Sequence, residues 1–451
     1  MGLRWDKDFN LIGATAIQNS RTFQELQAIG SPYAKLPHDD NKDFSPRVGF
    51  AYDVTGAGKH VVRGGFGLYY DNVFQNIPLF MIQQANPTIY QGIFSISNAT
   101  EIVPGTGIPL GSWRYGVDPF PVIPPPSSQL NDGATGRLME SHYRNPFTEE
   151  FNFGYQWAMT PNSVLEVEYV HTLGLHENKT VNLNPVDPAT GARPLSAAFA
   201  AAGVPVLGRI SSEQSVNRSR YDGLNFSYRK RMSRRFSVNA NYTLSRAMGW
   251  AIQSGYPEVG SGFRNYPHDP RNIWDPRDFG PTPNDERHHI TISGIGQLPW
   301  GFELSPILQW GTARPYDLNE GYDVLQIGSG YSRPLIIDSS DPTNLTKFAN
   351  TPPSAACLAS GQCHQIGYDT MRGFPFFQLD MRVAKNIKLG ESRNLQLTFQ
   401  AFNLTNKTNY GNNISNQATA SDFLKPAGYI NPTSSTTPRA FVGEFGVRFT
   451  F

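Results

Sequence analysis

The sequence predicts an all-β chain: an antiparallel transmembrane β-barrel wall of about 12 strands, partial or incompletely closed, with short periplasmic turns and long extracellular loops. Three observations predict it. Segments of bilayer-crossing length alternate apolar and polar residues, and the connections between them alternate short and long. No segment approaches the roughly 20 apolar residues that a membrane helix needs, so residence in a membrane would have to be by strands.

The alternation is clearest in RRFSVNANYTLSRAM (Arg234 to Met248). Phe236, Val238, Ala240, Tyr242 and Leu244 form one file, and Ser237, Asn239, Asn241, Thr243 and Ser245 the other. A strand sends successive side chains to opposite faces, so one face is apolar and the other wet. PRVGFAYDV, VVRGGFGLYY, FTEEFNFGYQWAM, SVLEVEYVH and DGLNFSYRK repeat the pattern in order. RHHITISGIGQL, GFELSPILQW, FFQLDMRVAK, NLQLTFQAF and FVGEFGVRFTF complete the set.

Tight connections fall at 55–59, 160–162, 232–235, 298–301 and 389–393, and long ones at about 11–44, 71–146, 172–219, 247–285, 314–373 and 405–439. Soluble sandwiches have no reason to sort loops by parity, whereas outer-membrane barrels do. The last strand then runs downward, with Phe441, Phe445, Val447, Phe449 and Phe451 facing lipid. Its terminal aromatics, Phe449 and Phe451, resemble the signal read by barrel-assembly machinery. Tyr69, Tyr70, Trp157, Trp250, Trp300 and Trp310 fall at strand ends, where interfacial girdles belong.

Charged residues make up 17% and nearly cancel to a net +1, so nothing in the composition suggests the excess basic surface that nucleic acid requires. MGLRWDKDFN carries no basic-then-apolar leader, yet Leu3 and Trp5 already alternate with Arg4 and Asp6. The chain is therefore expected to begin inside a strand, with Met1 not the natural start. So short a first strand cannot seal the full height of the strand ending at Phe451, and an open edge is expected between residues 2–10 and 441–451.

Four strings, DFSPRVGFAYDVTGAGKHVVRGGFGLYYDN, YDGLNFSYRKRMSRRFSVNANYTLSRA, DERHHITISGIGQLPWG (followed by GTARPY) and FFQLDMRVAKNIKLGESRNLQLTFQAFNLTNKTNYG, resemble the TonB-dependent, Oar-like outer-membrane receptors. That resemblance covers most of the chain. It implies a barrel of about 22 strands around an N-terminal plug, on which periplasmic TonB pulls to admit substrate. Residues 1–451 depart from this pattern in having about half the strands and no plug, TonB box or upstream domain, so they are read as the C-terminal portion of such a barrel.

Candidate sites are few. Lumen-facing Glu150, Glu166, Glu168, Arg229, Asp380, Arg382, Glu444 and Arg448 are candidate contacts for a plug or solute, against the plainer role of pairing across neighbouring strands. Cys357 and Cys363, close together in an extracellular loop, are expected to form a disulfide. His288 and His289 are adjacent on a strand and point to opposite faces, so no shared metal is expected. The acidic loop PHDDNKD lacks calcium-loop spacing. No catalytic set, phosphate-cradling loop or dinucleotide fingerprint emerges, so neither an enzyme nor a cofactor is expected. The expected partners are outer-membrane lipid, an unknown ligand, the assembly machinery and, through an absent plug, the TonB complex. Alternatives are an outer-membrane adhesin without transport and a soluble glycan-binding sandwich. The last leaves the loop parity unexplained.

Overall fold

The structure, a computed structural model, describes residues 1–7, 9, 12–73, 77–79, 81, 99–121, 136–187, 190–250, 272–319, 333–336, 364–390, 392–418, 420–430 and 440–451. Its first strands are β1 (Gly2–Asp6), β2 (Asp43–Asp53), β3 (His60–Tyr70), β4 (Gly136–Met139), β5 (Phe147–Thr160), β6 (Ser163–Asn182), β7 (Ile210–Ser233) and β8 (Phe236–Trp250). They are followed by β9 (Phe279–Pro281), β10 (His288–Gln297), β11 (Phe302–Gly311) and four two-residue strands, β12 (Pro315–Tyr316), β13 (Leu335–Ile336), β14 (His364–Gln365) and β15 (Met371–Arg372). The last are β16 (Phe376–Lys388), β17 (Asn394–Phe402) and β18 (Val442–Thr450).

Twelve strands form one antiparallel path, β1-β2-β3-β5-β6-β7-β8-β10-β11-β16-β17-β18. Every neighbour on it is the next long strand in sequence, as short and long connections in strict alternation require. Register converts the period-two pattern into lateral rows. Tyr52, Val62, Tyr155, Val167, Phe226, Tyr242, Ile290, Trp310 and Phe377 are successive cross-strand partners, an unbroken apolar row. One residue further along, Gln156, Glu166, Ser227, Asn241, Thr291, Gln309 and Gln378 make a polar row on the other face.

Among the described residues no second layer covers the apolar rows: Phe50, Phe153, Phe226, Ile292 and Leu397 are all exposed, and Phe445 on the last strand is 87% exposed. In water such a surface would be a severe liability; in hydrocarbon it is the solvent-facing side. The buried apolar core lies elsewhere, at the long-loop end. One cluster joins Ile12, Ile17, Val73, Ile77 and Met139, and a second joins Leu26, Leu138, Phe199, Leu207 and Ile210. A third joins Tyr316, Leu318 and Ile366. Together these segments form a canopy over one end of the wall.

The short turns close tightly for identifiable reasons. In the β2–β3 turn the Asp53 carboxylate accepts from the backbone N–H groups of Gly58 at 2.6 Å and Thr55 at 3.1 Å. Gly56 and Gly58, both at φ 68°, supply the left-handed backbone. Arg234 and Arg235 both take positive φ, the two-residue hairpin geometry that matches strand twist.

The edges remain open, as expected: β1 pairs only with β2 and β18 only with β17, and no pairing joins them among the described residues. Several connections differ from expectation: 71–146, read as loop, carries β4, which pairs parallel with β7, and 247–285 carries β9 against the end of β8. The stretch 11–44, read as loop, carries helices α1 (Ala14–Ile17) and α2 (Arg21–Ala28), the latter capped by Ser20, whose side chain accepts from Phe23 N–H. The stretch 172–219 is shorter than read, because β6 continues to Asn182 and β7 starts at Ile210. Register shifts between Leu175 and Glu177 and between Glu177 and Lys179, with His176 at φ 55°, break the two-residue period there while pairing continues.

Candidate functional site: the polar inner face and its loop-side mouth

The inner face is built from glycine gaps and long charged side chains. Arg63 on β3 sits opposite Gly154 on β5, and Gly154 opposite Glu168 on β6. With no side chain at Gly154, the Arg63 guanidinium reaches across one whole strand to contact Glu166 and lies 3.8 Å from Glu168. Two recesses flank this pair. One, of about 350 Å³, lies at the open edge and is lined by Arg47, Gly49, Gly65, Gly67, Tyr69 and Glu150, among others. The Arg47 guanidinium stacks over the Tyr69 ring at 4.4 Å. The other, of about 280 Å³, lies at the short-turn end, where Gln156, Glu166, Ser227 and Arg229 contribute to its lining.

The remaining inward candidates gather on β16 to β18. The Asp380 carboxylate accepts from Gln378 Nε2 and from Asn403 N–H at 2.8 Å. Arg382 donates to Gln396 at 3.5 Å and is opposite Gln400, which in turn is opposite Glu444. Arg448 is opposite Gln396. Thus Glu166 and Glu168 share Arg63, while Asp380, Arg382, Glu444 and Arg448 occupy a separate, mostly amide-lined sector. Cys357 and Cys363 lie outside the described residues.

At the loop end two stretches singled out in the sequence, DERHH and GTARPY, meet. His289 pairs in register with Gly311. The Glu286 carboxylate fills the space a Gly311 side chain would need, bonds His289 Nδ1 at 2.5 Å and accepts from Arg314 Nε at 2.7 Å. Beside it the buried Asp285 carboxylate accepts from Ala247 N–H at 2.8 Å and pairs with Arg372 at 3.0 Å. His288, on the opposite face, bonds Tyr242 Oη through Nδ1 at 2.8 Å. Among the described residues no group of three His, Cys, Asp or Glu side chains is placed to hold a metal ion. In the PHDDNKD loop, Asp43 accepts from Asn145 Nδ2 at 2.7 Å and Asp40 from Asn145 N–H.

Above this mouth the canopy buries a charged knot. Arg333 donates to the Asp278 carboxylate and to the Arg277 carbonyl at 3.1 Å, with both Arg333 and Asp278 almost wholly buried. Asp317 and Asp369 lie close by. Burial pushes the Asp317 carboxyl upward against the pull of Arg333. Burial and the Asp317 charge together push Asp369 upward, opposed by Arg333 and Arg372. Parity identifies neither Arg63 nor Arg333 as a hub, since the first reaches across a strand and the second sits where no period exists.

The family model described as "Outer membrane beta barrel domain" matches residues 1–441. No curated protein matches the chain. Among solved structures, the outer membrane transporter YddB from Escherichia coli is similar at 12% identity with a TM-score of 0.43, covering 92% of this chain and 40% of that one. A ferric enterobactin receptor (PfeA) mutant from Pseudomonas aeruginosa gives 10% identity and 0.43, over 91% and 40%. The FrpB iron transporter from Neisseria meningitidis gives 8% and 0.38, over 83% and 37%. The chain thus spans about two fifths of the length of the structures it matches. Matched over nearly its whole length, this all-strand wall belongs to the outer membrane β-barrel domain family and is a protein of the outer membrane.

Proposed function

We propose that residues 1–451 form the C-terminal part of the barrel wall of an outer-membrane receptor that captures a ligand with its extracellular loops and imports it, with a plug and TonB supplied from outside these residues. The observation that carries the reading is the open-edged wall, apolar on one face and lined by charged and amide side chains on the other. Unpaired strand edges do not survive in hydrocarbon, so β1 and β18 call for further strands. A wall widened in this way would enclose a wet lumen large enough to need a gate. Arg63, Glu166, Glu168, Asp380 and Arg382 bond to neighbours on the inner face, a polar lining that supports a conduit.

The test is uptake in cells lacking the TonB system. Import should stop while surface binding of the same solute persists. Unchanged import without TonB would sink the transporter reading. Binding with no TonB-dependent import in intact cells would favour the adhesin.

A further inference from the structure

The apolar outer face ends differently at its two extremities. At the short-turn end, Lys230 donates to Ser233 O, Ser233 Oγ and Phe236 O, each at 2.9 Å, and lies 3.6 Å over the Phe236 ring. Lys385 similarly donates to Trp300 O over the Phe302 ring. Lys230 thus caps the turn of its own hairpin, and Lys385 the turn of the neighbouring one. At the loop end, Tyr169, Leu224, Leu244 and His288 are cross-strand partners on the outer face. The next row holds His171, Asp222 and Arg246, and the one above it Leu173, Arg220 and Met248. Arg218, two residues from Arg220, continues the same face opposite Leu175.

Residues two apart on a strand, and diagonal neighbours across a pair, sit about 7 Å apart on one face. Arg218 and Arg220, two apart on β7, and Arg246, the diagonal neighbour of Arg220 on β8, therefore form a bent file of exposed side chains with Arg220 at its centre. None of the three forms an ion pair with a carboxylate among the described residues. The intervening Asp222 carboxylate is engaged toward β6, accepting from Tyr169 Oη at 2.7 Å and bonding His171 Nδ1 at 2.8 Å. Arg218 is braced over the Trp274 and Trp250 rings at 5.4 and 5.9 Å.

We propose that Arg218, Arg220 and Arg246 form an outward-facing site for a phosphate-bearing lipid headgroup of the outer leaflet, with an acyl chain lying along Leu224, Leu244 and Phe226 below. This rests on the reading that the long loops are extracellular. Guanidinium forks match phosphate oxygens in pairs, and an apolar strip directly beneath a file of cations complements an anionic amphiphile.

The test uses the full-length protein in phosphatidylcholine vesicles containing a fluorescent diphosphorylated glucosamine lipid. The parent should bind this lipid and not its dephosphorylated form. Arg220→Gln with Arg246→Gln should weaken binding about thirtyfold, from roughly fivefold per charge, while Arg235→Gln at the turn end changes nothing. Should the double variant fail to fold, Arg220→Lys with Arg246→Lys keeps the charge but loses the fork, and a several-fold loss is expected. Parent-like affinity in whichever pair folds overturns the site, as does full displacement by inorganic phosphate, which would mark a plain anion site. A protein that enters no vesicle at all would overturn the barrel reading and the lipid site with it.

Discussion

On the wall, Phe226 and Leu244 leave more than a third of their surface uncovered, whereas at the loop end Leu26, Phe199 and Ile210 are sealed completely. The same residue types thus meet two solvents. Wall strands hold together through backbone ladders, and their outer side chains gain by facing hydrocarbon. The canopy stands in water and must build its own interior, so it encloses small apolar clusters and, between them, charges it cannot hydrate. The wall is accordingly tolerant and repetitive, and the canopy specific and fragile.

The largest effect is expected where that fragility concentrates. Arg333→Met removes the guanidinium bonded to buried Asp278, together with the charge that opposes the burial of Asp317 and part of the charge, shared with Arg372, that opposes the burial of Asp369. Breaking one side of a buried pair costs about 3–5 kcal/mol. Hydrogen exchange should show 272–282 and 364–373 losing protection while β5 to β8 keep theirs. Equal loss in the wall would mean that wall and canopy unfold as one unit, and the contrast drawn above would fail.

The wall is tested at mid-height. Phe226→Arg places a charge in the centre of the unbroken apolar row, between Val167 and Tyr242, at an expected cost of about 2–4 kcal/mol in a bilayer. Ser227→Arg, one residue on, enters the polar row beside Glu166 and should cost little. Reversible urea unfolding in vesicles measures both. If the two variants behave alike, the faces have been misassigned.

Most of the wall is legible in the sequence because its physics is periodic. Phe236 to Leu244 declares a face every second residue, and loop lengths declare which end is which. Legibility stops where the period breaks. The bulges at Glu177 hide the last turns of β6 although Lys179 to Asn182 still pair with β7. The canopy is unreadable for a different reason: Asp278, Asp317, Arg333 and Asp369 come from separated segments, and nothing local marks them as neighbours. Parity puts Glu166 and Glu168 in one polar file, but their partner lies beyond an intervening strand, visible only once Gly154 is known to sit between them. DERHH and GTARPY are recognisable strings, yet their joint meaning, Glu286 folded over Gly311, appears only in three dimensions.

Protonation sharpens the comparison, with a smaller effect than deleting Arg333 because the cation stays in place. The folded pKa values of Asp317 and Asp369 are raised above the unfolded value near 4, so the fold favours the neutral acids. Their contribution to canopy stability is complete below about pH 4 and is lost as pH rises through the raised folded values. Protease nicking within 364–373 should therefore be faster at pH 8 than at pH 5 once protease activity is normalised. Asp369→Asn, which keeps a residue tolerant of the φ of 47° found there, should flatten the difference. A pH-independent rate in the parent would remove these two acids from the account.

The smallest effect is expected inside the wall, at Arg63. Its side chain is 39% exposed and those of Glu166 and Glu168 are 25% exposed, so water screens the pair. Arg63→Met should then cost less than about 1 kcal/mol in the same urea assay, as half-hydrated ion pairs generally do. The two glutamates it leaves behind are on one strand face about 7 Å apart, where water and salt mute their repulsion. The small number is informative because it measures the dielectric of the lumen. A cost above about 3 kcal/mol is the signature of a buried pair. It would mean that something dry is packed against this face.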